Sequence, residues 1–168
     1  MFNLDFDLQS GLALAAKNLP IAASEDSLKA CKDFVVGRLK NNLTDQGFRY
    51  DVVDAVLSEQ QSNPAGVIRA VKELSNWVTK SEWTTILPAY ARCVRITRDQ
   101  KTEYSIDPKS FEEPSEGELL AEIERVEKAN RKNGSVEDLF QAFVPMIPVV
   151  NRFFEAVLVM AEDEKVRS

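Results

Sequence analysis

Residues 24–43 read SEDSLKACKDFVVGRLKNNL, and the spacing of their apolar side chains decides the fold class. Leu28, Cys31, Val35, Leu39 and Leu43 recur at steps of three and four, which places them on one stripe of a helix rather than on one face of a strand. Ser24 stands where an N-cap is needed, and Glu25 and Asp26 follow at the positive end of the helix dipole. Gly47 then marks the stop. The same reading extends downstream. Asp51 suits the cap of a shorter helix with Val52, Val53, Val56 and Leu57 as its apolar positions. Asn63-Pro64 opens another, because proline at the first helical position gives up an N–H that has no partner anyway. Its stripe is Val67, Val71, Leu74 and Val78.

Ser81-Glu82-Trp83 begins a further helix with Ile86, Leu87, Tyr90 and Val94 as its apolar stripe, and Pro88 inside it predicts a kink or a restart. Residues 99–114, DQKTEYSIDPKSFEEP, break the period with two prolines and clustered charge, and read as a long loop. Ser115 and Glu118 fit a reciprocal capping box, followed by Leu119, Ile123 and Val126 and a stop at Asn133-Gly134. Ser135 with Asp138 caps the last run, from Leu139 and Phe140 to Val157 and Leu158, which Pro145 and Pro148 split. Only the N-terminus alternates, with Phe2, Leu4, Phe6 and Leu8. The expected fold is all-α, a helical bundle of about seven helices with no substantial sheet.

Composition narrows the chemistry. The 168 residues suffice for one domain or two small ones. No apolar run approaches the roughly 20 residues of a membrane span. MFNLDFDLQS carries two aspartates and no Lys or Arg, so it does not read as a targeting peptide, and a cytoplasmic address is expected. Histidine is absent, which removes Ser-His-Asp and Cys-His nucleophile systems and imidazole metal sites. The scattered glycines form no phosphate-cradling loop. No residues here read as catalytic or metal-ligating. Cys31 and Cys93 lie among apolar helical positions and are expected to be buried free thiols.

Charge is distributed unevenly. Arg92, Arg95, Arg98 and Lys101 recur every three residues, within a net charge of −6 for the whole chain. Such a row drifts slowly across one helix face. It could replace counterions on RNA phosphates, with arginine stacking on unpaired bases, or simply gather at a negative helix end. Residues 112–127 hold seven glutamates against Arg125, a solvated face that RNA would avoid or an acidic partner site. Arg131 and Lys132 offer a second phosphate contact or a helix-end cap. Among the aromatic residues Trp77, Trp83, Tyr90 and Tyr104 can be read as platforms for stacking on a base, and Tyr104, beside Lys101 in the loop, is the better candidate. Trp77, Phe140, Phe143, Phe153 and Phe154 fit core positions. An RNA-binding module and an acidic helical protein-interaction scaffold both remain open on these residues alone.

Three stretches carry a family resemblance. Residues 151–163, NRFFEAVLVMAED, are similar to the FF-x-x-V-x-V-M-x-(D/E)-D signature of DALR-type anticodon-binding domains, with Val166-Arg167 after it. Phe34 to Leu39 with Gly47 to Leu57, and then Leu87 to Ile96, resemble in that order the C-terminal region of glycyl-tRNA synthetase β subunits of the tetrameric bacterial type. The resemblance implies a helical tail of an HD-like region at 1–60 and a DALR-like anticodon-binding domain at 61–168. It also implies that the last helix of that domain is missing, since the family continues where this chain stops at Ser168. It further implies an α2β2 enzyme whose α subunit uses ATP, with magnesium, to attach glycine to tRNA. The β subunit would grip the tRNA through Arg92, Arg95, Arg98, Lys101 and Tyr104, with no cofactor of its own in this stretch.

Overall fold

The computed structural model describes residues 4–102 and 105–157, and among them every regular element is helical. The elements are α1 (Leu8–Ala16), α2 (Glu25–Asp45), α3 (Tyr50–Gln60), α4 (Pro64–Val78), α5 (Trp83–Thr97), α6 (Pro114–Glu127), α7 (Val136–Phe143) and α8 (Ile147–Ala156), with 3-10 turns at Pro108–Ser110 and Val144–Met146. The all-α expectation holds. The additional helix is α1, where the apparent alternation stops at Leu8. There Asp7 caps the helix by accepting from the Ser10 N–H at 2.6 Å, and a local cap outweighs a short period-two pattern.

The described residues divide into two compact units, one holding residues up to Thr79 with Lys132–Glu137, the other holding Lys80–Arg131 and the residues from Asp138 onward. The division falls at Thr79–Lys80, and the packing of α4 against α3 keeps both helices in the first unit.

In the first unit α3 supplies Val52, Val53, Val56 and Leu57 to the core, and α4 supplies Val67, Ala70, Val71 and Trp77. Helix α2 joins them through the fully buried Leu43 and ends in a Schellman turn. The Gly47 N–H donates to the Thr44 carbonyl at 2.9 Å and the Phe48 N–H to the Leu43 carbonyl at 3.2 Å. Gly47 adopts φ +89°, a conformation that costs a residue with a Cβ. Ser24 and Asn63 cap α2 and α4 as their positions suggest. Asp51 does not cap α3. Arg49 takes that place, and the Asp51 carboxylate instead binds the Arg49 guanidinium at 2.6 and 3.0 Å and accepts from the Val52 N–H. That pairing holds its carboxyl below the usual aspartate range. Cys31 is exposed, contrary to the expected burial, because only the C-terminal end of the α2 stripe reaches the core.

In the second unit Ile86 and Ala89 of α5, Phe140 of α7, and Ile147 and Val150 of α8 are buried, and α8 packs on both α5 and α6. The capping box expected at Ser115 and Glu118 forms elsewhere. Pro114 occupies the first helical position of α6, so the cap moves to Glu113, and the Glu116 carboxylate accepts from the Glu112 and Glu113 N–H groups at 2.8 and 2.7 Å. Ser115 is left buried, its hydroxyl without a hydrogen-bond partner. The final run splits at Val144–Met146, next to Pro145 and Pro148, as the prolines predict.

Candidate functional site

The basic row lies on α5 and just beyond it. Helix α5 begins at Trp83 behind a turn in which the Ser81 hydroxyl donates to the Glu82 carboxylate at 3.0 Å. Glu82 is held below the usual glutamate range by its own backbone N–H and by that hydroxyl. Pro88 does not divide the helix, which runs unbroken to Thr97. Pro88 and Thr84 are both exposed, so the helical bond that Pro88 cannot donate to the Thr84 carbonyl is lost on the solvent side of α5.

The orientation of α5 differs from the sequence expectation. Ile86 and Ala89 face inward, with Cys93 and Ile96 half-buried below them. Leu87, Tyr90 and Val94, expected in the core, expose 48%, 44% and 41% of their surface. The helix carries apolar residues on two adjacent stripes, and the one that contains Ala89 packs inward. The Cys93 thiol, half-buried rather than fully buried, is pushed up in pKa by loss of solvent.

The row separates into two parts. The Arg92 guanidinium lies 4.5 Å from the centre of the Phe154 ring on α8, a cation–π contact that ties it to the helix bundle. Arg95 points out of the exposed face, Arg98 is exposed with its Nε 3.5 Å from the Asp99 carboxylate, and Lys101 is exposed beyond the helix end. A drift of about 60° over three residues turns Arg95 further than Arg92 from the buried side of α5. Tyr104 lies outside the described residues.

Aromatic contacts brace this surface from below. Trp83 meets Phe140 edge to face at 5.5 Å, Tyr90 meets Phe143 at 5.8 Å, and Phe153 meets Phe154 at 5.3 Å. Phe140 is buried, while Phe143, Phe153 and Phe154 are half-buried.

Much of the acidic run is used internally. Glu118 accepts from Arg152 of α8 at 2.7 and 3.1 Å, Glu122 pairs with Arg125 at 2.8 Å, and Glu124 pairs with Lys128 at 3.2 Å. Nothing in the sequence pairs Glu118 with Arg152, because they sit 34 residues apart.

In the first unit a polar cleft of about 260 Å³ runs along α3 and α4, lined by Gln60, Asn63, Arg69 and Glu73 and closed by Lys132 to Ser135. Its walls are tied by local bonds. Asn63 donates to the Asp5 carboxylate at 2.8 Å, Arg69 binds the same carboxylate, and Gln60 donates to the Gly134 carbonyl at 3.0 Å. Glu73 accepts from the Ser135 hydroxyl at 3.2 Å and from the Glu137 N–H at 3.0 Å. Trp77 is buried, as its sequence position suggests, and its indole N–H donates to Glu137 at 2.7 Å. Among the described residues no group of three or more Cys, Asp or Glu side chains is placed to hold a metal ion. No described helix is long and apolar enough to cross a membrane.

No protein-family model matches the chain. Among curated proteins it is similar to the glycine–tRNA ligase β subunit of Lacticaseibacillus casei (strain BL23), at 32% identity over 96% of this chain and 24% of the relative. The β subunits of the same name from Desulfitobacterium hafniense (strain DCB-2) and Lactobacillus delbrueckii subsp. bulgaricus match at 34% and 32%, covering 87% and 89% of this chain. The chain spans about a quarter of the length of the curated relatives it matches.

Proposed function

We propose, from the premise that this chain is homologous to a segment of glycine–tRNA ligase β subunits, that it is a tRNA-binding part of such a ligase, acting in the cytoplasm. In this reading it supports glycylation of tRNA by an α subunit within an α2β2 assembly. ATP and magnesium would be used on that subunit, since no residue set here suits the adenylation of an amino acid. Residues 61–168 would serve as a DALR-like anticodon-binding domain, following the tail of an HD-like region.

The observation that carries the reading is the exposed cation set Arg95, Arg98 and Lys101, at the C-terminal end of α5 and just beyond it. A nucleic acid is the partner suited to successive exposed cations, because each neutralised phosphate releases counterions. Arg92 belongs to the row in sequence, but its contact with Phe154 fits it to shaping the surface rather than reaching the phosphates. The acidic-scaffold alternative loses ground because Glu116, Glu118, Glu122 and Glu124 already hold partners within the chain.

Titration of this chain with glycine tRNA across a salt series tests the proposal. Three phosphate contacts on a single-stranded loop predict a log–log salt slope of roughly −2, and each of Arg95→Ala and Arg98→Ala should flatten it by about 0.7. Absence of binding at low salt, or a slope that these substitutions leave unchanged, would refute the assignment.

A further inference from the structure

Helix α5 presents more to solvent than its cations. At about 100° per residue, Leu87, Val94 and Arg98 fall within roughly 40° of one another around the axis, with Tyr90 to one side and Arg95 to the other. The result is a ridge of three apolar side chains, each more than two-fifths exposed, running into the cations. Helix α5 already meets its neighbours through Ile86 and Ala89, and Tyr90, though in contact with Phe143, keeps 44% of its surface exposed.

We infer that Tyr90, flanked by Leu87 and Val94, is a stacking platform for an unpaired base of the RNA whose phosphates Arg95 and Arg98 hold. This deepens the tRNA-binding reading and rests on it. Three features favour a nucleobase as the occupant. The ridge spans only about 60° of the helix circumference, whereas docking a partner helix calls for an apolar face of about 100° or more. The cations stand at one end of the ridge, so an apolar ring and a negative group must arrive together, as they do in a nucleotide. Tyr90 also has an aromatic neighbour to orient it, since its ring meets Phe143 edge to face at an interplanar angle of 85°. An exposed aromatic ring with an adjoining cation track is the arrangement by which proteins hold single-stranded nucleic acid.

The test uses the whole chain with a glycine-tRNA anticodon stem–loop and with the same RNA made abasic at one loop position at a time. Tyr90→Ala should weaken binding about tenfold while leaving the salt slope unchanged, and Tyr90→Phe should retain affinity. One abasic position should weaken the parent protein to the same degree and add nothing to Tyr90→Ala. Leu87→Ser, which removes apolar surface without touching the Tyr90–Phe143 contact, should show a smaller loss at that same position. Binding unaffected by Tyr90→Ala, or additive losses at every abasic position, would overturn the platform even if Arg95→Ala and Arg98→Ala still flatten the slope. If those arginine substitutions also do nothing, the tRNA-binding reading itself falls. Displacement of the RNA by an acidic amphipathic peptide that binds more tightly would assign the ridge to a protein instead.

Discussion

Glu73 should be one of the most sensitive polar positions in the first unit. It lies on α4, yet its carboxylate accepts from the Ser135 hydroxyl at 3.2 Å and from the backbone N–H of Glu137, in the first turn of α7, at 3.0 Å. It therefore does from another helix what a local N-cap would do. One turn further along α4, Trp77 binds the Glu137 side chain at 2.7 Å, so two residues four apart clasp the same short segment. Glu73→Ala removes a hydrogen bond to a charged acceptor, worth about 1.5–3 kcal/mol, and leaves a helix N–H without its cap. The expected loss is about 2 kcal/mol. A unit of this size shifts by roughly 4–8 °C per kcal/mol, so its melting transition should fall by about 8–16 °C. Glu73→Gln keeps one accepting oxygen without the charge and should lose about half as much. Thermal unfolding of the chain measures both, and hydrogen exchange reads the Glu137 amide directly, which should lose protection in Glu73→Ala. A melting shift under about 2 °C, or an unchanged exchange rate at that amide, would refute the capping role.

Gly134 adopts φ +75°, and a Cβ there would stand 3.0 Å from the Gln60 Oε1, so Gly134→Ala should cost about 1–2 kcal/mol in a denaturant titration. Asp5 is held below its ordinary value of 3.8 by hydrogen bonds from Asn63 and then Arg69. Its folded pKa is the lower one, so the contribution is present above 3.8 and is lost as pH falls through the lowered value. Asp5→Asn should accordingly reduce the acid sensitivity of the chain in that window, read by melting temperature against pH. Cys31 is exposed, whereas burial raises the Cys93 thiol, so alkylation at pH 8 followed by peptide mapping should label Cys31 first.

How much of this was legible in the sequence depends on the range over which each cause acts. Ser24, Asn63-Pro64 and Gly47 mark helix boundaries because a cap, a missing N–H and a positive φ act within a few residues. The all-α class and most helix positions therefore follow from local pattern alone. So do the prolines that divide the final run. Where two local signals compete, the pattern misleads. Pro114 displaces the cap expected at Ser115, and Arg49 takes the cap place expected of Asp51.

The facing of α5 was decided only by tertiary structure. Ile86 and Leu87 are neighbours of equal hydrophobicity, and nothing within the helix says which of the two stripes turns inward. The choice is made by the surfaces of other helices, with Ile86 and Ala89 buried while Leu87, Tyr90 and Val94 remain in water. The same choice sets Arg92 apart within the row, since it is exposed like Arg95 and Arg98 but also lies over Phe154, 62 residues away. The sequence determines that four cations recur every three residues. Which of them also holds a partner within the fold is a property of long-range packing, because such contacts depend on neighbours that the local pattern does not contain.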